Sequence, residues 1–247
     1  LLGDSARPQL SQAGLDPPLP GCATLERNAC VPNTLNAMLE VYRQAKLPGR
    51  VLLAVDASGS MAARTGPGRA TRFTVASDGV LEAVGHLGPR DEFGLWAFPN
   101  ANGRRSPKLV KLAPGSLPHR NAVARALRGV RPAGATPLYA TVLAGLHELA
   151  GGDDAERVQA MVVLTDGEDT SDRSLRQTAA QVRKLTRASG VRLYVIATGD
   201  ARCDTAGGTD NGLRLLTDAA RGECLTTSPG KADSTMAQLF ATLWGGR

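Results

Sequence analysis

Aromatic residues make up 4% of the 247-residue chain, with two Trp, three Tyr and four Phe. So few rings argue against a stacking platform for single-stranded nucleic acid. Histidine occurs three times, at His86, His119 and His147, and none sits at ligand spacing from a cysteine. There is no Cys-x-x-Cys, so a zinc site is not expected. The chain also lacks Gly-x-x-x-x-Gly-Lys-[Ser/Thr], which excludes a P-loop, and His147-Glu148 has no second histidine to complete a zinc-protease helix. No Gly-x-Ser-x-Gly elbow is present for a nucleophilic serine. No apolar run is long enough to span a bilayer, and no signal peptide precedes the first residues, Leu1-Leu2-Gly3-Asp4. The opening without methionine reads as a piece cut from a longer protein.

What is present is an ordinary globular composition, 42% hydrophobic and 21% charged. Lys and Arg outnumber Asp and Glu 29 to 23, giving a formal charge of +6. The excess is dispersed apart from Arg104, Arg105, Lys108 and Lys111, and no nucleic-acid motif accompanies it, so it reads as solvated surface and nucleic acid is not an expected partner. The four cysteines form two local pairs by position, Cys22 with Cys30 and Cys203 with Cys224. Four cysteines allow three connectivities, and a fully reduced cytosolic state is the alternative. Local pairing is the simplest expectation and would place the protein in an oxidising, extracytoplasmic setting.

Residues 1–45 are rich in Pro, Gly and polar residues and read as a linker or the tail of an upstream module. A short helix carrying Leu35, Met38, Leu39 and Tyr42 on one face is expected within it. Residues 46–247 read as one domain. Val51 to Val55 is an unbroken apolar run, as expected of a parallel strand buried on both faces. Further strands are expected at 93–98, 108–112, 158–165, 191–198 and 223–227. The one at 108–112 follows an Asn100-Ala101-Asn102-Gly103 turn and should therefore be antiparallel. Helices are expected at about 73–87, 119–130, 137–150, 175–185, 213–220 and 232–245 from apolar spacing. Strands separated by helices in this rhythm define an α/β doubly wound sheet, mostly parallel, with helices on both faces and one antiparallel edge strand.

Ligands of such sheets bind beyond the carboxyl ends of the strands, near the reversal of strand order. The first strand is followed by Asp56-Ala57-Ser58-Gly59-Ser60, and the fourth by Asp166-Gly167-Glu168-Asp169. Between them Thr136 precedes Pro137 at a helix start. Singly these are turn and cap residues: Asp56 and Ser58 suit a local turn, Thr136 an N-cap, and Asp166-Gly167 a plain turn. Together they place two carboxylates and three hydroxyls at one end of the sheet. Asp56, Ser58, Ser60, Thr136 and Asp166 are all hard oxygen donors, suited to Mg²⁺, Mn²⁺ or Ca²⁺. Two carboxylates roughly neutralise a dication and leave it acidic enough to take an outside ligand, most naturally a carboxylate from a protein partner. Asp153, Asp154, Asp169 and Asp172 read as solvated loop carboxylates, although Glu168 and Asp169 could border the metal.

Asp56-x-Ser58-x-Ser60, the lone Thr136 and Asp166-Gly167 resemble the metal-ion-dependent adhesion site of von Willebrand factor A domains. The resemblance extends over about residues 50–245. In that family the serines and threonine ligate metal directly or through water, and the aspartates often act through water. The family fold agrees with the one read above. Flanking sequences, Arg50 to Met61, Leu87 to Trp96 and Gly134 to Tyr139, are similar to secreted bacterial, especially actinobacterial, proteins in which an A domain follows a type 2 solute-binding-like domain. That similarity implies an extracellular or envelope location, with any membrane anchor in other parts of the full-length protein.

The functional expectation is a non-enzymatic, metal-dependent binding module. Its alternative is an intracellular regulatory subunit of an AAA+ ATPase, because chelatase-type A domains also carry Asp-x-Ser-x-Ser. A hydrolase is the least favoured class: magnesium among hydroxyls acidifies water weakly, and no general base is evident.

Overall fold

The computed structural model describes residues 47–65, 70–99, 108–151, 157–167, 169–203, 212–227, 234–235 and 238–239. The readings of residues 1–45, the Cys22/Cys30 pair, the turn at 100–103, Arg104, Arg105, Asp153, Asp154 and Glu168 lie outside these residues.

Six strands build the sheet: β1 (Gly49–Asp56), β2 (Glu92–Phe98), β3 (Lys108–Pro114), β4 (Val158–Thr165), β5 (Arg192–Ala197) and β6 (Glu223–Thr226). Their order is β3-β2-β1-β4-β5-β6. Only the β2–β3 pairing is antiparallel, with Trp96 opposite Lys108 and Phe93 opposite Ala113. The α/β, mostly parallel sheet with one antiparallel edge strand is therefore the fold, as the strand–helix rhythm predicts. Chain order runs one way from β1 through β2 to β3 and the other way through β4 to β6. The reversal falls between β1 and β4, whose register pairs Leu53 with Val162 and Val55 with Leu164.

Among the described residues five α-helices of two turns or more cover the two faces: α1 (Arg72–His86), α2 (Leu117–Gly129), α3 (Leu138–Ala150), α4 (Leu175–Ser189) and α5 (Gly212–Ala219). The alternation of strand side chains decides which helix goes where. Val51, Leu53 and Val55 of β1 point into one core with Phe73, Val80 and Val84 of α1, Val123 and Leu127 of α2, and Leu239. Leu52 and Ala54 point the other way, into a core with Val142 and Leu146 of α3, Val182 of α4 and Leu213 of α5. Each such fully buried aliphatic side chain contributes about 1.5–3 kcal/mol relative to exposure. Gly145 is what lets α3 lie close to the sheet: a Cβ there would stand 2.6 Å from Met161 Sδ and 3.1 Å from a Leu52 methyl.

Several helix starts carry caps that fix where the chain leaves the loops. Thr71, Ser116 and Ser174 accept hydrogen bonds from the backbone of Thr74, His119 and Gln177 at the heads of α1, α2 and α4. Helix α2 begins at Leu117, two residues before the expected start, because Ser116 caps it and Pro118 occupies its first turn. The expected final helix at about 232–245 lies largely outside the described residues, although Leu239 is buried. Among the described residues no helix is long and apolar enough to cross a membrane.

Candidate metal centre

Asp56 is the last residue of β1 and Asp166 directly follows the last residue of β4, so the two adjacent central strands deliver one carboxylate each to the same end of the sheet. Asp56 is fully buried. Its Oδ1 accepts the Ser58 backbone N–H at 2.8 Å, and its Oδ2 accepts the Thr165 hydroxyl at 2.6 Å. Ser58 is buried as well, and its Oγ lies 3.0 Å from Ser60 Oγ. Ser60 is exposed, and its hydroxyl donates to Asp166 Oδ1 at 2.7 Å. Asp56, Ser58, Ser60 and Asp166 thus form one connected set, with buried oxygens beneath and Ser60 at the solvent side.

Backbone hydrogen bonds hold the loops that carry these groups. Ala57 N–H donates to Phe98 O, Ala133 N–H to Ala57 O at 2.8 Å, and Gly59 N–H to Gly134 O at 3.0 Å. The loop after β1 is therefore laced to the loop before α3, which brings Thr136 into the same neighbourhood. Thr136 is buried, and its backbone is fixed by Thr170: the Thr136 N–H donates to Thr170 Oγ1 at 2.8 Å and Thr170 N–H to Thr136 O at 3.0 Å. Its hydroxyl does not cap α3. The helix starts at Leu138 with Pro137 in the cap position and no side-chain cap bond. The N-cap alternative for Thr136 is thereby replaced, and its hydroxyl is not joined to the Asp56–Asp166 set by a hydrogen bond. The local-turn alternative for Asp56 holds in part, since its Oδ1 does accept Ser58 N–H.

Burial pushes the Asp56 carboxyl above its ordinary value of 3.8; the hydrogen bonds from Thr165 and Ser58 pull it back, and the nearby Asp166 charge adds to the rise. Two buried carboxylates side by side call for a cation. One is already supplied by the protein: Arg72 Nη1 donates to Asp166 Oδ2 at 2.9 Å, and Arg72 Nη2 reaches Asp200 at 2.8 Å. The donor set fits a hard divalent ion in both respects, with oxygen as every donor atom and a buried negative charge to be compensated. Among the described residues no cluster of three or more His, Cys, Asp or Glu stands in ligand geometry, so any ion held here would have to draw on the hydroxyls as well.

Two residues of this region escape sequence reading. Thr165 anchors Asp56, and its place at a strand end beside Asp166 was the available signal. Arg72 belongs to no motif, and its reach of 94 positions to Asp166 leaves no local trace. Asp169, considered as a metal neighbour or a solvated loop residue, is half-buried and structural: its carboxylate accepts the Tyr139 N–H at 2.9 Å, at the head of α3, and both the N–H and hydroxyl of Ser171. None of the histidines joins the set. His119 Nε2 bonds Phe93 O at 2.7 Å with its ring against Phe93, His86 pairs with Glu82 at the exposed end of α1, and His147 is exposed on α3.

Residues 51–168 match the family model described as von Willebrand factor type A domain, a stretch that contains all five oxygen donors. Over that stretch, a little under half of the sequence, the chain is similar to this family. No curated protein matches the sequence. Solved structures share the fold at low identity. A von Willebrand factor type A protein from Catenulispora acidiphila is 18% identical with a TM-score of 0.62, over 79% of this chain and 42% of that one. The pilus adhesin SpaC from Lactobacillus rhamnosus GG is 19% identical with a TM-score of 0.59, over 81% of this chain and 30% of its own. The vWF domain of the type V pili tip protein Mfa5 from Porphyromonas gingivalis is 9% identical with a TM-score of 0.59, over 81% of this chain and 96% of its own. The chain thus spans less than half the length of the first two proteins.

Cys203 and Cys224 are joined in a disulfide, with Cα atoms 5.5 Å apart. The local pairing expected for them is the one found. It ties the loop after β5, which carries Asp200, to β6.

Proposed function

We propose that this domain is a non-enzymatic, divalent-metal-dependent interaction module. Asp56, Ser58, Ser60, Thr136 and Asp166 hold Mg²⁺, or Mn²⁺ or Ca²⁺ in its place, and the metal takes a carboxylate from a protein partner. The observation that carries this reading is the connected oxygen set from Ser58 through Ser60 to Asp166, above the buried Asp56. It opens to solvent at Ser60, where a ligand from outside can reach it. Bound there, the ion would supply Lewis acidity toward an incoming oxygen, and the protein's hydroxyls would leave its charge largely intact. Solved relatives of this fold include a protein named as a pilus adhesin and one named as a pilus tip protein, in keeping with a surface-binding role.

The Cys203–Cys224 disulfide supports an extracellular or envelope-associated location and weighs against the ATPase-subunit alternative, whose cytosolic setting would keep thiols reduced. The resemblance to actinobacterial secreted proteins points the same way, and nucleic acid is not among the proposed partners. Calorimetric titration with Mg²⁺ and Mn²⁺ tests the reading directly. Wild type should bind, and Asp56→Ala and Asp166→Ala should bind at least about tenfold more weakly. Equal binding by all three proteins would remove these residues from the site.

A further inference from the structure

Arg72 occupies a position that helix physics does not explain. It is the first residue of α1, where a cation is opposed by the positive end of the helix dipole. Its side chain instead reaches to the metal centre, with Nη1 2.9 Å from Asp166 Oδ2 and Nη2 2.8 Å from Asp200 Oδ2. The Asp166 end of this bridge is fully buried and the Asp200 end is 84% exposed, so the strong partner is Asp166. A seat is built for the guanidinium. Gly199 has φ +61°, and a Cβ there would stand 2.8 Å from Arg72 Cζ, so only glycine leaves the space. Asp166 is therefore shared: Oδ1 takes the Ser60 hydroxyl and Oδ2 takes the arginine.

Building on the metal-site reading above, we infer that Arg72 is a tethered cation that competes electrostatically with the divalent ion for Asp166, weakening metal binding alone and favouring metal together with an anionic group. The charge count gives the reason. With the exposed, solvent-screened Asp200 left out, the two buried carboxylates Asp56 and Asp166 and the guanidinium of Arg72 sum to −1. A dication brings the centre to +1, and a carboxylate from outside returns it to zero. Without Arg72 the same dication would meet a charge of −2 and be neutralised with no external ligand. A positive charge next to a buried ligand carboxylate acts at short range and low dielectric, where it is weakly screened. Arg72 is thus a specificity-setting residue: it makes the metallated centre select an anion.

Mn²⁺ titration of the full chain by calorimetry, at low salt and with or without acetate as the carboxylate probe, tests this. Arg72→Gln should bind Mn²⁺ about tenfold more tightly than wild type, with the gap narrowing as salt is added. Acetate should tighten Mn²⁺ binding more in wild type than in the variant, and Arg72→Lys should behave as wild type does. Gly199→Ala, which keeps both residues but pushes the guanidinium out of its seat beside Asp166, should also bind more tightly and stands in if Arg72→Gln does not fold. If both variants bind Mn²⁺ no better than wild type while Asp166→Ala loses it, Arg72 only props Asp166 and the inference is overturned, with the metal site intact. If neither wild type nor Arg72→Gln takes up Mn²⁺, the metal-site reading falls and this inference with it.

Discussion

Thr165, the last residue of β4, donates its hydroxyl to Asp56, the last residue of β1, at 2.6 Å. The bond joins the carboxyl ends of the two strands between which chain order reverses. It gives a buried carboxylate a donor that also shares contacts with the Gly167 backbone, and so ties Asp56 to the turn that carries Asp166. Thr165→Val keeps the shape and removes the donor. A buried acceptor left without its partner costs about 1–3 kcal/mol. The variant should lose that much stability by urea denaturation in EDTA and should bind Mn²⁺ more weakly than wild type. Unchanged Mn²⁺ affinity would separate Thr165 from the site.

Asp56 gives the centre a defined pH response. Its native pKa is raised, chiefly by burial, above the value of 3.8 expected in the unfolded chain. Between those two values the native state holds the proton more tightly than the unfolded state does, so this residue's contribution to stability grows as pH falls and its ionised form costs stability at neutral pH. On the proposed reading a metal would require the carboxylate, so the opposite trend is expected of the loaded protein: the stabilisation conferred by Mn²⁺ should shrink as pH falls through the raised pKa. Melting temperatures in EDTA and in Mn²⁺, followed from about pH 7 to 4, measure both. Asp56→Asn should abolish the Mn²⁺ increment at every pH. It should also flatten this residue's part of the EDTA profile.

Asp169 separates a structural acid from the acids proposed to hold the metal. It stands three residues after Asp166, yet its oxygens are occupied by Tyr139 and Ser171. Asp169→Ala frees the first turn of α3 from its acceptor and should cost about 0.5–2 kcal/mol, the usual penalty for a lost helix cap. Mn²⁺ affinity, measured on the folded variant, should stay within about twofold of wild type, a change of well under 1 kcal/mol. A loss comparable to that of Asp166→Ala would move Asp169 into the coordination set.

The disulfide between Cys203 and Cys224 spans 21 positions. Closing a loop of that size stabilises by about 3 kcal/mol through the unfolded state. Reduction, or the Cys203→Ser/Cys224→Ser pair, should lower stability by about 2–4 kcal/mol. Mass spectrometry after alkylation of native protein should find these two sulfurs unmodified. Alkylation at both sites without reductant would place the protein in a reducing setting.

The sequence by itself determined the architecture. Short apolar runs such as Val51–Val55 have the length and composition of strands covered on both faces, and the Asn-Gly sequence before Lys108 implies the single reversal that β3 shows. It also determined which oxygen donors gather at one end, because each lies directly after a strand or before a helix, where the fold itself sets the address. Tertiary structure alone decided how those donors are used. Thr136 has the sequence of an N-cap, yet α3 begins at Leu138 because the Thr136 backbone is held by Thr170. Asp91 drew no reading from sequence, yet it is buried and accepts the N–H groups of Gly49 and Gly88 at 2.6 Å, fixing where β1 begins. Arg72 belongs to no motif, yet it lies over Gly199 and against Asp166. Sequence patterns report a residue's own element through its period and its neighbours. The partner of a buried charge is set by which loops the packed sheet brings together, and that information is spread over 94 positions of chain.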